Sequence, residues 1–318
     1  MTYRVKEEPE DFTVKEDLNR PVKEGGDHLL LKVTKRQYNT EDMVEALADH
    51  ANTPRHRFGY AGNKDRQAIT TQHVSVKHGN PQSFAHVDDE DITVEHIGYT
   101  DSQLSLGDLN GNHFRINVKG VDRSDVNHVD EFTNYFDSQR FSTHNHHIGK
   151  HLVNGDYDKA ANTLKDDDYH GPIIKKHLAS HPNDYTTALR QLPTKILTLF
   201  VHAYQSQLWN RSVQRRHDDL QTQTTFPIIG FGTDPETEVE REELRRIKAE
   251  ENITRRSFII RSIPELSAEG TRRPIKQPLQ DLQITPHPNG VTLSFYLDKG
   301  SYATMAIKHI LGNVSITT

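Results

Sequence analysis

The chain has 318 residues, enough for two domains with a core each, and no cysteine, which excludes a disulfide scaffold, a thiol nucleophile and any Cys-ligated zinc or iron–sulfur site. Its formal net charge of −6 argues against a uniformly basic nucleic-acid binder, although affinity for phosphates depends on where charge sits as well as on its sum. No apolar run approaches the roughly 20 residues of a membrane span and the start of the chain is charged and not signal-like, so a cytoplasmic protein without a membrane partner is expected.

Arg4–Glu16 reads as an extended start, with Phe12 and Val14 alternating with Thr13 and Lys15 as in a half-buried strand. A loop rich in Pro and Gly, Asn19–Asp27, leads to the apolar strand His28–Val33. Thr40 is the expected N-cap of a helix over Met43–His50, with Glu41 and Asp42 complementing its positive end. Phe58–Ala61 and Thr70–Val76 read as strands joined by a charged turn, where Gly59, Gly62 and Asn63 tolerate positive φ or close approach to a ligand. Ile92–Tyr99 and Asn112–Val118 continue the sheet. Val126, Val129, Phe132, Tyr135 and Phe136 then recur at a helical spacing that predicts core.

Past residue 140 the pattern turns helical, over Asp156–Leu164, Thr186–Arg216 and Glu236–Glu251. In the second of these Ile196, Phe200, Tyr204 and Leu208 predict a buried stripe, which leaves Gln205, Asn210 and Arg211 on a polar face open to RNA. Tyr185–His217 carries Arg190, Lys195, Arg211, Arg215 and Arg216 with no Asp or Glu, a local excess suited to lining an RNA path. Arg255–Arg261 returns to strand character, and Pro274, Pro278, Pro286 and Pro288 mark an irregular surface stretch. Val291–Leu297 alternates as a sheet strand and leads into a helix capped by Ser301. His147 and His151 have the i, i+4 spacing of a helical metal pair, yet no Glu stands where a zinc protease needs one. The His144–His147 cluster therefore reads as exposed histidines, and no metal site is expected.

Asp65 is the candidate catalyst: a strand–turn–strand that aims one carboxylate out of a rigid frame suits a positioned reacting group, the plain alternative being a solvated turn Asp. The run Gly59-Tyr60-Ala61-Gly62-Asn63-Lys64-Asp65-Arg66-Gln67-Ala68-Ile69-Thr70-Thr71-Gln72 resembles the signature of the TruD family of tRNA pseudouridine synthases, in which the Asp of the Gly-x-Lys-Asp run is the catalytic carboxylate. Blocks at Pro9–Glu16, Gly111–Ile116, Asn134–Phe141 and Lys299–Thr304 resemble the family in the same order, and His202–Arg211 is similar to its archaeal-type members.

The resemblance implies an α+β protein with a pseudouridine synthase fold. A mixed, mainly antiparallel sheet would be split in sequence as residues 1–139 and 258–318, and interrupted at 140–257 by an inserted helix-rich α/β TRUD domain, the two forming a cleft for tRNA. The implied target is a uridine of the D-arm region, position 13, isomerised with no cofactor, metal or water and with no protein partner. One carboxylate suffices for that, by covalent addition or by abstraction of a sugar proton. A glycosidase normally needs two, and no second carboxylate adjoins Asp65 in the motif.

Asn112 and Phe114 lie two apart and share a strand face. An Asn amide offers the donor and acceptor that a uracil edge needs and a Phe the flat surface, although Phe114 also fits core and Asn112 a turn cap. By family match Tyr302 stacks on the extracted base, or else closes the core at the start of a helix. A carboxylate kept ionised away from water needs a cation. Lys64 and Arg66 point away from Asp65 in an extended segment, so Lys15 or Arg20 is the expected partner, each fitting plain surface charge as well. Two other readings stand beside this one: a tRNA-binding or folding module without turnover, and a metallohydrolase built on the His cluster.

Overall fold

A computed structural model describes residues 3–142 and 144–312. In chain order it contains β1 (Phe12–Leu18), β2 (His28–Arg36), α1 (Thr40–His50), β3 (Phe58–Tyr60), β4 (Ile69–Lys77), β5 (Ile92–Thr100), β6 (Leu109–Lys119) and a short β7 (Glu131–Thr133). Helices α2 (Ser138–Phe141), α3 (Asn145–Asn154), α4 (Tyr157–Leu164), α5 (Gly171–Ser180), α6 (Tyr185–Arg190) and α7 (Thr194–Arg215) follow, then β8 (Thr225–Ile228) and α8 (Glu238–Glu251). The chain continues through β9 (Thr271–Pro274), β10 (Lys276–Pro278), β11 (Gln280–His287), β12 (Gly290–Asp298) and α9 (Ala303–Ile310). Its described residues divide into two compact units, one made by 3–132 together with 277–312, the other by Thr133–Lys276. The expected junctions at 139/140 and 257/258 fall inside the second unit.

The first unit is built on an eight-stranded sheet of order β11-β12-β6-β1-β4-β2-β5, with β3 also paired to β4. Its pairs are antiparallel except β1 with β4, so the sheet is mixed. Strand register sorts the side chains into rows across one face. Leu29, Leu31 and Val33 of β2 and Val74 and Val76 of β4 share a buried cluster with Met43, Val44 and Leu47 of α1, which covers this half of the face. The next row towards the edge reads Phe295, Phe114, Val14, Thr70, Lys35 across β12, β6, β1, β4 and β2.

Several local expectations are corrected. The N-cap of α1 is Asn39, whose side chain accepts from the Asp42 amide at 2.8 Å, which frees the Thr40 hydroxyl for another task. Val126, Phe132, Tyr135 and Phe136 are buried, but from extended chain that includes β7 and not from a helix. Arg255–Phe258 is a 3-10 turn capped at Thr254, and the strands come later, at the prolines. Pro286 is tolerated because β11 is the sheet edge, where a missing N–H costs no ladder bond. Ser301 caps nothing: Tyr302 is the N-cap of α9, and the Ser301 hydroxyl is buried without a partner.

In the second unit α7 is the axis. Gly149 of α3 permits close packing on it, since a Cβ there would lie 2.0 Å from the Phe200 carbonyl oxygen. The face of α7 expected to be open is closed: Gln205 donates to Ile229 O, and Asn210 brackets Phe136, accepting from its N–H at 2.9 Å and donating to its C=O at 2.8 Å. Nor are the arginines of α7 free for RNA. Arg215 and Arg216 hold the buried Glu243 of α8, and Arg211 holds Glu250 and the buried Glu251.

Candidate active site

Asp65 sits in the loop between β3 and β4, and that loop is tied down nearly residue by residue. Ala61 O accepts from Gly107 N at 2.8 Å, and Gly62 O from the Gln72 amide at 3.4 Å. The Lys64 N–H donates at 2.9 Å to the Thr40 hydroxyl, which itself donates to Gln72 Oε1 at 3.0 Å. Gly59 serves close approach and not positive φ, because a Cβ there would lie 2.3 Å from Leu104 O. Neither Gly62 nor Asn63 takes a positive φ.

Beneath the loop lies a buried ion cluster that the sequence reading missed. Glu16 on β1 meets the Lys64 ammonium at 2.5 Å, the His73 N–H at 3.0 Å and His73 Nδ1 at 3.1 Å. Burial alone would raise the pKa of Glu16, but the hydrogen bonds from His73 and the Lys64 charge outweigh it and hold the carboxyl below its usual range. Lys64 thus faces inward, and its neighbour Asp65 faces outward.

The Asp65 carboxylate receives Lys6 Nζ at 2.6 Å, with the Asp side chain 42% exposed and that of Lys6 14%. Lys6 also lies over the Phe12 ring, 4.0 Å from its centroid, so its ammonium is held by an aromatic face and a carboxylate together. It reaches there from a left-handed backbone, φ +61°, a strain of about 1–3 kcal/mol for a non-glycine residue. Its carbonyl is held by Gln67 Nε2 at 2.9 Å. From the other side Lys35, fully buried, donates to the Asp65 carbonyl at 2.9 Å and to Tyr38 O. Desolvation pushes the Lys35 pKa down to about 8, reinforced by Lys64 and opposed by Asp65.

The cation on Asp65 is therefore Lys6, and neither Lys15 nor Arg20 takes that place. Lys15 is exposed and alternates with Val14 and Glu16, so it projects from the opposite face of β1. Arg20 places one guanidinium nitrogen 2.9 Å from each Asp108 oxygen and secures the turn before β6.

Asn112 and Phe114 do share a face. Phe114 stacks on Phe295 at 5.5 Å and meets Phe12 edge-on at 6.1 Å, which brings the aromatic row up to the ring that carries Lys6. Asn112 lies opposite Glu16 in the β1–β6 ladder, and its Oδ1 is buried without a hydrogen-bond partner. An orphaned buried acceptor is costly and asks for a donor. Tyr302 is half-buried and follows Lys299, which is fixed to Asn110 O and Gly107 O at 2.8 Å each. Gly107 in turn bonds Ala61, so Tyr302, β6 and the Asp65 loop hang on one hydrogen-bonded chain. Two missed signals were present in the sequence: Glu16 and Lys35 stand at inward positions of alternating strands, where an apolar residue is the rule.

The structure superposes on a Methanosarcina mazei crystal structure described as a putative tRNA pseudouridine synthase D (TruD), with a TM-score of 0.72 at 24% identity over 97% of this chain and 93% of that one. By fold, then, this is an α+β protein organised on a large mixed sheet, the fold of that structure. The family described as tRNA pseudouridine synthase D (TruD) matches residues 1–171, 173–224 and 217–310. A Methanopyrus kandleri protein described as a probable tRNA pseudouridine synthase D is 31% identical, over 92% of this chain and 87% of its own. A Nanoarchaeum equitans protein of the same description is 28% identical over 96% and 98%. The chain belongs to the tRNA pseudouridine synthase D (TruD) family, a family of isomerases. Among the described residues no helix is long and apolar enough to cross a membrane, and no three His, Asp or Glu side chains converge where they could hold a metal ion.

Proposed function

We propose that this protein converts a uridine of tRNA, at position 13 in the D-arm region, to pseudouridine, with Asp65 as the reacting carboxylate. The observation that carries the reading is a half-exposed carboxylate anchored by Lys6 through its side chain and by Lys35 through its backbone, beside an aromatic row and an orphaned amide oxygen. Each part answers a need of the reaction. The bond from uracil N1 to C1′ breaks, the base turns, and C5 joins C1′ while the C5 proton is lost and N1 gains one. Asp65 either adds to the nucleoside or takes a sugar proton, and both routes require an ionised, fixed oxygen, which the Lys6 ammonium favours. Asn112 Oδ1 accepts from the uracil N3–H, and Phe114 and Tyr302 offer surfaces to an everted base.

On this reading the sheet-bearing unit is the pseudouridine synthase domain and the helix-rich unit an inserted TRUD domain. Lys15 and Arg20 contact RNA outside the reacting nucleoside, no protein partner is needed, and the substrate sets the location as cytoplasmic. The test compares wild type with Asp65→Ala on tRNA, measuring binding and mapping pseudouridine. The variant is expected to bind and form none; equal modification by both proteins would overturn the assignment.

A further inference from the structure

Helix α8 segregates its charges. Glu240, Glu243 and Glu251 are buried, with Ile247 between them on the same stripe, and each is neutralised by a neighbouring cation: Arg272 for Glu240, Arg215 and Arg216 for Glu243, Arg211 and Lys150 for Glu251. A second stripe, Arg241, Arg245 and Lys248, follows the i, i+4, i+7 spacing of one helix face. These three side chains and Arg255 line an open cavity of about 360 Å³, whose apolar wall includes Leu244 and Ile253 and which no carboxylate lines.

Four cations thus face one concavity with little to balance them. Glu238 is shared by Arg241 at 2.7 Å and Arg245 at 3.1 Å, and Asp234 meets Arg255 at 2.8 Å from an almost fully exposed position. Lys248 has no carboxylate partner among the described residues. Four positive and two negative groups leave an excess of two. Exposed pairs of this kind are worth about 1 kcal/mol or less, so an incoming anion displaces them at little cost. Low-dielectric walls concentrate the field that remains.

We propose that this cavity is a binding site for the phosphate backbone of RNA. The extent of the stripe decides against a single small anion: from Arg241 to Lys248 the helix rises about 10 Å at 1.5 Å per residue, which suits more than one phosphate of an extended chain. Guanidinium groups in three of the four positions match phosphate oxygens two at a time. The site replaces the path expected on α7, whose arginines are spent on buried carboxylates. It rests on the reading of tRNA as substrate, and names where in the helical unit that substrate is held.

The experiment is a salt titration of tRNA affinity, with steady-state kinetics, for wild type, R241Q/R245Q/K248Q, and a control, K175Q/K176Q, that removes exposed lysines of α5 in the same unit. Every phosphate that a cation no longer neutralises lowers the slope of log K against log salt by about 0.7–0.9, so the triple variant should drop by about two units of slope and on the order of tenfold in affinity at low salt. KM should rise with kcat at saturation unchanged and the thermal midpoint kept, and the control should match wild type. Identical slopes and KM for the triple variant and wild type would overturn the site and leave the stripe to an acidic protein partner. Failure of the broader reading looks different, because wild type itself would then form no pseudouridine.

Discussion

Two buried charges near Asp65 separate what holds the site from what reacts in it. Glu16 is fully buried with the nearly buried Lys64, so replacing it strands an ammonium in the interior, at a cost of about 3–5 kcal/mol. Asp65 pairs with Lys6 in a half-exposed setting where an ion pair is worth about 1 kcal/mol or less. Urea unfolding should therefore show Glu16→Leu strongly destabilised and Asp65→Asn nearly unchanged, while turnover is abolished in the second; the reverse order would mean that the roles have been exchanged. Lys35 adds a pH dependence. Its folded pKa is about 8 against an ordinary 10.5, so between those values the folded chain sheds a proton that the unfolded chain keeps, and stability rises with pH across that window. At neutral pH the buried ammonium costs about 3 kcal/mol. Once deprotonated, the neutral amine still has an N–H for Asp65 O and one for Tyr38 O, but it loses the charge that strengthens both bonds, so turnover at saturating tRNA should fall as pH rises through about 8 although the protein is no less stable. Lys35→Met should show a low turnover, on the order of a hundredfold down, without that alkaline limb. A limb that persists in Lys35→Met would assign it to another group. Both charges were legible as polar residues at inward positions of apolar alternation. Lys6 was not, since nothing in Tyr3-Arg4-Val5-Lys6 announces a left-handed residue turned back onto Asp65.

At the scale of elements, the signature loop and the strands beside it were readable because their signals are local: β-branched alternation, glycines at the turn and a charged bend. The helical unit was less readable because its decisive contacts are long-range. The amides and arginines of α7 look solvent-facing by period alone, and what buries them is Phe136 on one side and α8, some 30 residues further along the chain, on another. Proline likewise suggested irregular surface where the chain forms β9 to β11, because local sequence does not say which strand will be an edge. The packing of α3 on α7 gives a test of this long-range control. By helix propensity Gly149→Ala should stabilise by about 1 kcal/mol. The added Cβ, however, would lie 2.0 Å from Phe200 O and 2.9 Å from Tyr204 Cβ, and a backbone oxygen cannot step aside. Overpacking of this kind costs about 1–3 kcal/mol, so the variant is expected to lose stability in a urea titration. A gain would show that the two helices are free to separate.

For the whole molecule, the two units have their own cores, one gathered on the sheet and α1, the other around α7, and the chain passes between the units twice. Single-step unfolding is a property of single cores, and a chain with two such clusters should not show it. The sequence supplies a reporter for one of them: the chain has one tryptophan, Trp209, on α7, buried, with its indole N–H on Phe226 O at 3.1 Å. Fluorescence therefore follows the helical unit, whereas far-ultraviolet dichroism follows both. In urea the two signals should not superimpose, with fluorescence changing once and dichroism in two phases. Asn210→Ala sharpens the test, because it removes the two hydrogen bonds that the Asn210 side chain makes to the N–H and C=O of Phe136. That should cost about 2 kcal/mol, which at a urea dependence of about 2 kcal/mol per M moves the fluorescence midpoint down by about 1 M. The dichroism phase that fluorescence does not see should stay where it was. If both probes trace one curve in wild type and move together in Asn210→Ala, the cores are a single cooperative unit and the separate roles given to sheet and helices lose their thermodynamic footing.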